Sequence, residues 1–149
     1  MANKKIFLLG ATGQIGKELS FEFKNTPNIE IICNSRAGVK SSFFNFHKIK
    51  NVIGELHEEK IISEIKSADL IFDLSAPESG TLKEIKNFYK NRANIIIPNM
   101  KKKSKFVFAS TMNAFGMDKK RKKLKNYIFS SSIYATNKRF AENYFNKLG

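Results

Sequence analysis

Two sets of residues have types and spacings that could do chemistry. One is Tyr134-Ala-Thr-Asn-Lys138, in which an i, i+4 spacing on a helix puts the phenol and the ammonium on one face. A positive charge about 6 Å from a phenol, at an effective dielectric of about 20, favours the phenolate by roughly 3 kcal/mol. Such a tyrosine could take or give a proton during a reaction. Lysine is abundant enough that about 0.6 such pairs are expected by chance, so the pair gains meaning only from its setting. The other set is Gly10-Ala-Thr-Gly13-Gln-Ile-Gly16, directly after the apolar run Ile6-Phe7-Leu8-Leu9. Chance would place only ~0.02 such glycine triplets in a chain with 8 Gly. The junction reads as a strand ending in a phosphate-binding turn. Gly10 permits the turn, Gly13 lets backbone approach a pyrophosphate, and Gly16 lets the next helix pack on the sheet. That helix would point its N–H groups and positive dipole end at the anion, and no acidic residue follows Gly10 before Glu18.

Strand and helix signals alternate along the chain, which predicts a parallel sheet with crossover helices. Strands are expected at 5–9, 29–33, 70–74 and 105–109, and helices at 14–24, 58–67, 81–91 and 132–148. Within 41–56 the third strand could be 43–46 or 52–56. Ile95-Ile96-Ile97-Pro98 is ambiguous, because β-branched residues favour a strand and the expected crossover favours a helix. With no repeat and no Gly/Ser linker, residues 1–149 read as one domain.

A chain of 149 residues can bury roughly 70% of its unfolded surface, so no disulfide is required. The lone Cys33 lies in an apolar run and reads as a buried thiol. The formal charge of +14 comes from 23 Lys and 4 Arg against 13 acids, alongside many Asn, Ile and Phe, which reads as a compositional bias. Lys101-Lys102-Lys103 reads as a solvated connection. The denser run Lys119, Lys120, Arg121, Lys122, Lys123 and Lys125 could attract nucleic acid. It has no interleaved aromatics to stack bases, so a solvated loop is the better reading and nucleic acid is not expected as a partner. No apolar run approaches the roughly 18 residues needed to span a bilayer, and Met1-Ala-Asn-Lys-Lys leads straight into the first strand. A soluble, cytoplasmic protein with no membrane partner and no metal site is expected.

Four segments occur in order: Gly10-Ala-Thr-Gly13-Gln-Ile-Gly16; Leu70-Ile-Phe-Asp-Leu-Ser-Ala76; Phe106-Val-Phe-Ala-Ser110-Thr111-Met-Asn-Ala-Phe-Gly116; and Tyr134-Ala-Thr-Asn-Lys138 followed by Glu142. Together they resemble the N-terminal, cofactor-binding part of an extended short-chain dehydrogenase/reductase, the NAD-dependent epimerase/dehydratase family acting mostly on nucleotide sugars. The resemblance implies an α/β fold: a Rossmann-like, doubly wound parallel sheet in three α/β/α layers. It implies dinucleotide contacts from Gly10, Thr12, Gly13, Gln14, Ile15, Gly16, Leu74, Ser75, Ala76 and Lys138. It makes Tyr134 the catalytic acid/base and Lys138 the partner that promotes its ionisation and touches the nicotinamide ribose. Thr111 becomes the residue that hydrogen-bonds the reacting hydroxyl or carbonyl; counting back from Gly116 selects it over Ser110. Asn91 matches the family's asparagine near that helix. The implied reaction moves a proton from a sugar hydroxyl to Tyr134 and a hydride to nicotinamide, giving epimerisation or carbonyl reduction of a nucleotide-sugar-like substrate.

Departures from the pattern carry expectations of their own. Met112-Asn113 stands where dehydratases of the family place Asp-Glu, which disfavours dehydration. Cys33-Asn34-Ser35-Arg36 lacks the carboxylate that binds the adenosine ribose of NAD; with Arg36 read as a contact for a 2′-phosphate, NADP is favoured over NAD, the alternative for Arg36 being a solvated loop residue. Family members continue past the Tyr-Lys helix with further strands and a substrate lobe, so a truncated sequence is expected, or a fold completed by a partner chain or homodimer. Three readings stay open: a nucleotide-sugar epimerase or reductase (or a fragment of one), a non-catalytic dinucleotide-binding module, and a basic nucleic-acid-associated protein. Nucleotide titration separates the first two from the third, and turnover separates the first from the second.

Overall fold

A computed structural model of the chain describes residues 3–36, 42–77, 79–111 and 133–148. Its apolar runs form β1 (Lys4–Leu9), β2 (Ile29–Ser35), β3 (Lys50–Ile53), β4 (Leu70–Asp73) and β5 (Lys105–Phe108), all parallel, in the order β3-β2-β1-β4-β5. Parallel neighbours require crossovers. These carry the helices α1 (Gln14–Asn25), α2 (Ser42–Phe46), α3 (Glu59–Ser67) and α4 (Leu82–Asn99), and α5 (Ile133–Leu148) follows β5 in sequence. The result is an α/β, Rossmann-like sheet. Register places Leu8 beside Cys33, Leu9 beside Asp73 and Asp73 beside Phe108.

Two compact units divide these elements: Met1–Ala76 with Pro98–Ala109, and Pro77–Ile97 with Ser110–Gly149. The first holds the sheet and α1 to α3. On one sheet face Ile6, Leu8, Ile31 and Cys33 pack with Phe44 of α2, and Leu19 and Phe23 of α1 lie against them. Strand alternation turns Phe7, Leu9, Ile32 and Ile71 to the other face. Lys5, on that second side, reaches Ser67 (2.5 Å) and Glu64 (2.6 Å) of α3, whose Ile61 and Ile65 are buried. Helices thus cover both faces of the first unit's sheet. Its central strands are buried on both sides, which is why they read as unbroken apolar runs.

Two ambiguous segments are resolved by connectivity. Residues 43–46 lie in α2 and the third strand is Lys50–Ile53, because the chain must cross over before it can pair parallel with β2. Residues 95–97 are the last turns of α4. This 18-residue helix replaces the expected one at 81–91, and its buried stripe, Tyr89, Ala93 and Ile96, continues straight through the isoleucines. The second unit is built on α4 and α5, whose faces meet through the Lys86 and Lys90 ammonium groups over Phe140 (5.3 and 5.9 Å), Lys90 over Tyr144 (5.9 Å), and a hydrogen bond from Tyr144 Oη to Asn94 Oδ1 (3.3 Å).

Candidate functional site

The sheet order reverses its direction of growth at β1, so β1 and β4 flank a topological switch point, where open α/β sheets bind ligands beyond the carboxyl ends of their strands. The glycine turn sits there. Gly10 has φ +73, and a Cβ on it would lie 2.7 Å from Ser75 N and 2.9 Å from Leu74 C. The exits of β1 and β4 therefore touch through a missing side chain, bringing Gly10, Leu74 and Ser75 together. A Cβ on Gly16 would lie 2.6 Å from both Cα and O of Ala11, so α1 packs against the turn as closely as the third glycine of such motifs allows. Among the described residues, the same Cβ at Gly13 would meet only Gly10 O, at 3.7 Å, and the space beside Gly13 is open.

Two helix N-termini of the molecule contrast. At α4, Thr81 and Glu84 form a reciprocal capping box: Thr81 N donates to Glu84 Oε2 (2.7 Å) and Glu84 N to Thr81 Oγ1 (3.3 Å). The hydrogen bonds that Thr81 donates to the Glu84 carboxyl, from its N and from its Oγ1 (2.8 Å), hold that carboxyl below its usual range. At α1 the N-cap is Gly13, no side chain caps the helix and its first turn has no acid. Gln14 and Ile15 are exposed there, Ile15 at 64%, and Thr12 is half-buried. Bare N–H groups, the positive dipole end and an open glycine fit the pyrophosphate of a dinucleotide.

The end of β2 is more specialised than its sequence suggested. Asn34 is not poised as a substitute for the missing carboxylate: its amide donates to the carbonyls of Val52 and Gly54, both at 3.1 Å, tying β2 to β3. Ser35 is buried and its Oγ accepts from Asn51 Nδ2 (2.8 Å). Arg36 is the first exposed residue after the strand. Burial pushes the Cys33 thiol up to about 12, against a small lowering by a hydrogen bond from Ser20, so Cys33 is an inert core thiol.

The residues that the sequence marks as candidates for proton chemistry belong to the second unit. Tyr134 is 51% exposed near the start of α5, and Lys138 is 2% exposed one turn later, its Nζ 5.9 Å from the centroid of the Tyr134 ring. Thr111 is half-buried and Asn91 is exposed on α4. The glycine turn, Arg36 and Leu74 to Ala76 belong to the first unit, so the candidate residues fall into two groups, one per unit. Met112, Asn113, Gly116 and the basic run from Lys119 to Lys125 lie outside the described residues.

Sequence reasoning missed two residues. Asp73, fully buried at the end of β4, accepts the Ser75 amide (3.0 Å) and shapes the turn that abuts Gly10; an acid closing an apolar strand was the signal. Tyr89 of α4, 1% exposed, lies with its ring centroid 5.5 Å from Lys138 Nζ, and nothing local in sequence links the two.

Among the described residues no group of three His, Cys, Asp or Glu could hold a metal ion, and no helix is long and apolar enough to cross a membrane. No curated protein sequence matches the chain. Solved structures match its fold. The protein gox2253 shares 14% identity with a TM-score of 0.78, over 98% of this chain and 47% of its own. The UDP-glucuronic acid 4-epimerase of Bacillus cereus, crystallised with a fluorinated UDP-sugar and NAD, shares 13% with a TM-score of 0.73, over 97% and 52%. The UDP-N-acetylglucosamine 4-epimerase of the same organism shares 17% with a TM-score of 0.72, over 97% and 48%. This chain thus spans about half the length of these proteins. The sequence pattern of the NAD dependent epimerase/dehydratase family matches residues 6–149, and the chain belongs to that family.

Proposed function

We propose that this chain is the dinucleotide-binding part of an NAD(P)-dependent nucleotide-sugar epimerase or reductase. The observation that carries the reading is the uncapped α1 N-terminus behind an open Gly13, at the β1/β4 switch point. Gly10, Thr12, Gly13, Gln14, Ile15 and Gly16 would cradle the pyrophosphate, with Leu74, Ser75 and Ala76 on the β4 side. Arg36, exposed where Asn34 and Ser35 are turned inward, would meet a 2′-phosphate, which favours NADP over NAD. The dinucleotide supplies hydride transfer when bound. Tyr134 takes the proton of a sugar hydroxyl or returns one to a carbonyl, Lys138 stabilises the phenolate, and Thr111 hydrogen-bonds the reacting oxygen.

The glycine site is built within the first unit alone, which favours a second reading: a module that binds dinucleotide without turnover. Calorimetric titration with NADP and NAD tests the shared step. Gly13→Val, whose side chain would enter open space, is expected to cost at least about 100-fold in affinity with unchanged helical content; unchanged affinity would sink the site. Reduced-cofactor absorbance with a panel of nucleotide sugars separates the readings: turnover lost in Tyr134→Phe supports the enzyme, and binding without turnover supports the module.

A further inference from the structure

Lys138 places a charge where water scarcely reaches, and a desolvated ammonium needs a compensating partner. Two ring faces meet it from two helices: Tyr134, one turn back on α5, at 5.9 Å, and Tyr89 of α4, at 5.5 Å. Both lie within the roughly 6 Å over which a ring's quadrupole attracts a cation. The two rings are not equivalent. Tyr134 is half exposed, whereas Tyr89 is buried in the stripe it shares with Ala93 and Ile96 and stands edge-on to Phe88 (5.2 Å, 83°). Only Tyr89 is anchored well enough to locate a lysine head on a flexible four-carbon stem.

We propose that Tyr89 is a positioning residue: its ring face fixes the Lys138 ammonium beside Tyr134, so that Tyr89 acts on the Tyr134 phenol through Lys138. The proposal rests on the reading of Tyr134 and Lys138 as a proton-transferring pair. It adds a residue from a different helix to that pair. It also explains a lysine buried between aromatic rings. The remaining basic groups of the helix pair are Lys83, Lys86, Lys90 and Arg92 on α4 and Arg139 and Lys147 on α5; the acids are Glu84 and Glu142. All of them stay constant across the variants below.

Alkaline titration of phenolate absorbance in the full chain, with each variant measured against its Tyr134→Phe counterpart, isolates the ionisation of Tyr134 without cofactor or turnover. Lys138→Met is expected to move that ionisation to higher pH. Tyr89→Phe keeps a π face and should leave it in place. Pentafluorophenylalanine at position 89 keeps the ring's shape, and so the fold, but reverses its quadrupole; it should move the ionisation upward by about half a pH unit. If Lys138→Met shifts the ionisation and the fluorinated ring does not, Tyr89 does not position Lys138 although the pair stands. If Lys138→Met itself has no effect, the pair reading fails and the proposal falls with it.

Discussion

The two units hold their positive charge in different ways. In the first, lysines meet carboxylates, with Lys17 over the Phe43 ring (5.9 Å) beside them: Lys5 and Lys50 share Glu64 (2.6 and 3.3 Å), Lys60 meets Glu58 (3.0 Å) and Lys101 meets Asp69 (2.9 Å). In the second, ammonium and guanidinium groups lie over rings: Lys86 and Lys90 over Phe140, Lys90 over Tyr144, Arg92 over Phe88, and Lys138 over Tyr89 and Tyr134. With 27 basic residues against 13 acidic ones, carboxylates cannot serve every cation. Aromatic faces offer a second way to pack basic helices, and they do not titrate in acid. The units also divide the proposed labour, with the glycine turn in one and Tyr134, Lys138 and Thr111 in the other. Probes divide the same way: Cys33 is in the first unit, and all four tyrosines lie in the sequence range of the second.

The largest expected effect sharpens the contrast between neighbouring glycines inside the first unit. Gly16→Ala forces a Cβ into the Ala11 backbone and should cost about 3 kcal/mol, read as a rise of about 100-fold in Cys33 reactivity toward a thiol reagent. Gly13→Ala, with open space around it, should cost at most about 1 kcal/mol. Equal costs would mean that both glycines serve packing and neither serves a ligand.

Next comes the nucleotide. Arg36→Ala should weaken NADP by about 1.5–3 kcal/mol, the range for a charged hydrogen bond, and leave NAD nearly untouched. Calorimetry with both nucleotides decides it, and equal losses would place Arg36 on the shared part of the ligand or in the fold.

Much of this was legible beforehand, and the reasons are physical. β1 and β2 are buried on both faces, β4 is buried on one and half-buried on the other, and all three announce themselves as apolar runs; the glycine triplet fixes a strand, a turn and a helix together. Phenylalanine suits a helix or a strand, so residues 43–46 declared neither. Three isoleucines look like a strand until the crossover from β4 to β5 demands a helix. The inward turn of Asn34 depends on the carbonyls of Val52 in β3 and of Gly54 just after it, and the contact of Tyr89 with Lys138 spans 49 residues of sequence. Local pattern cannot encode such contacts.

Acid should separate the units. Burial would raise the Glu64 carboxyl, but the hydrogen bond and charge of Lys5, then those of Lys50, outweigh it and hold the group below its usual range. A carboxylate lowered in the folded state stabilises fully above its unfolded value, about pH 4.3, and that stability is lost as pH falls through the folded value. Labelling of Cys33 by 4,4′-dithiodipyridine, which reacts in acid, should therefore accelerate at a higher pH than the one at which tyrosine fluorescence changes. Glu64→Gln should cost about 1–2 kcal/mol at neutral pH and abolish that difference. One coincident transition in the unaltered chain would show that the two kinds of charge pairing do not set separate thresholds.

The smallest effect tests the aromatic half of the comparison directly. A double-mutant cycle with Lys90→Met and Phe140→Leu, followed by thermal unfolding, isolates the pair from the packing each side chain makes elsewhere. Both groups are partly in water, so the coupling should be about 0.5 kcal/mol, at the lower end for cation–π contacts. Salt is the discriminating variable. At 1 M ionic strength the screening length falls to about 3 Å, and the coupling of the exposed Lys101–Asp69 pair should vanish in a matching cycle. An ammonium in contact with a ring leaves little room for counterions between them, and the Lys90–Phe140 coupling should keep most of its value. If salt removes both couplings alike, the rings of the second unit are only neighbours of its lysines, and the contrast between the units dissolves.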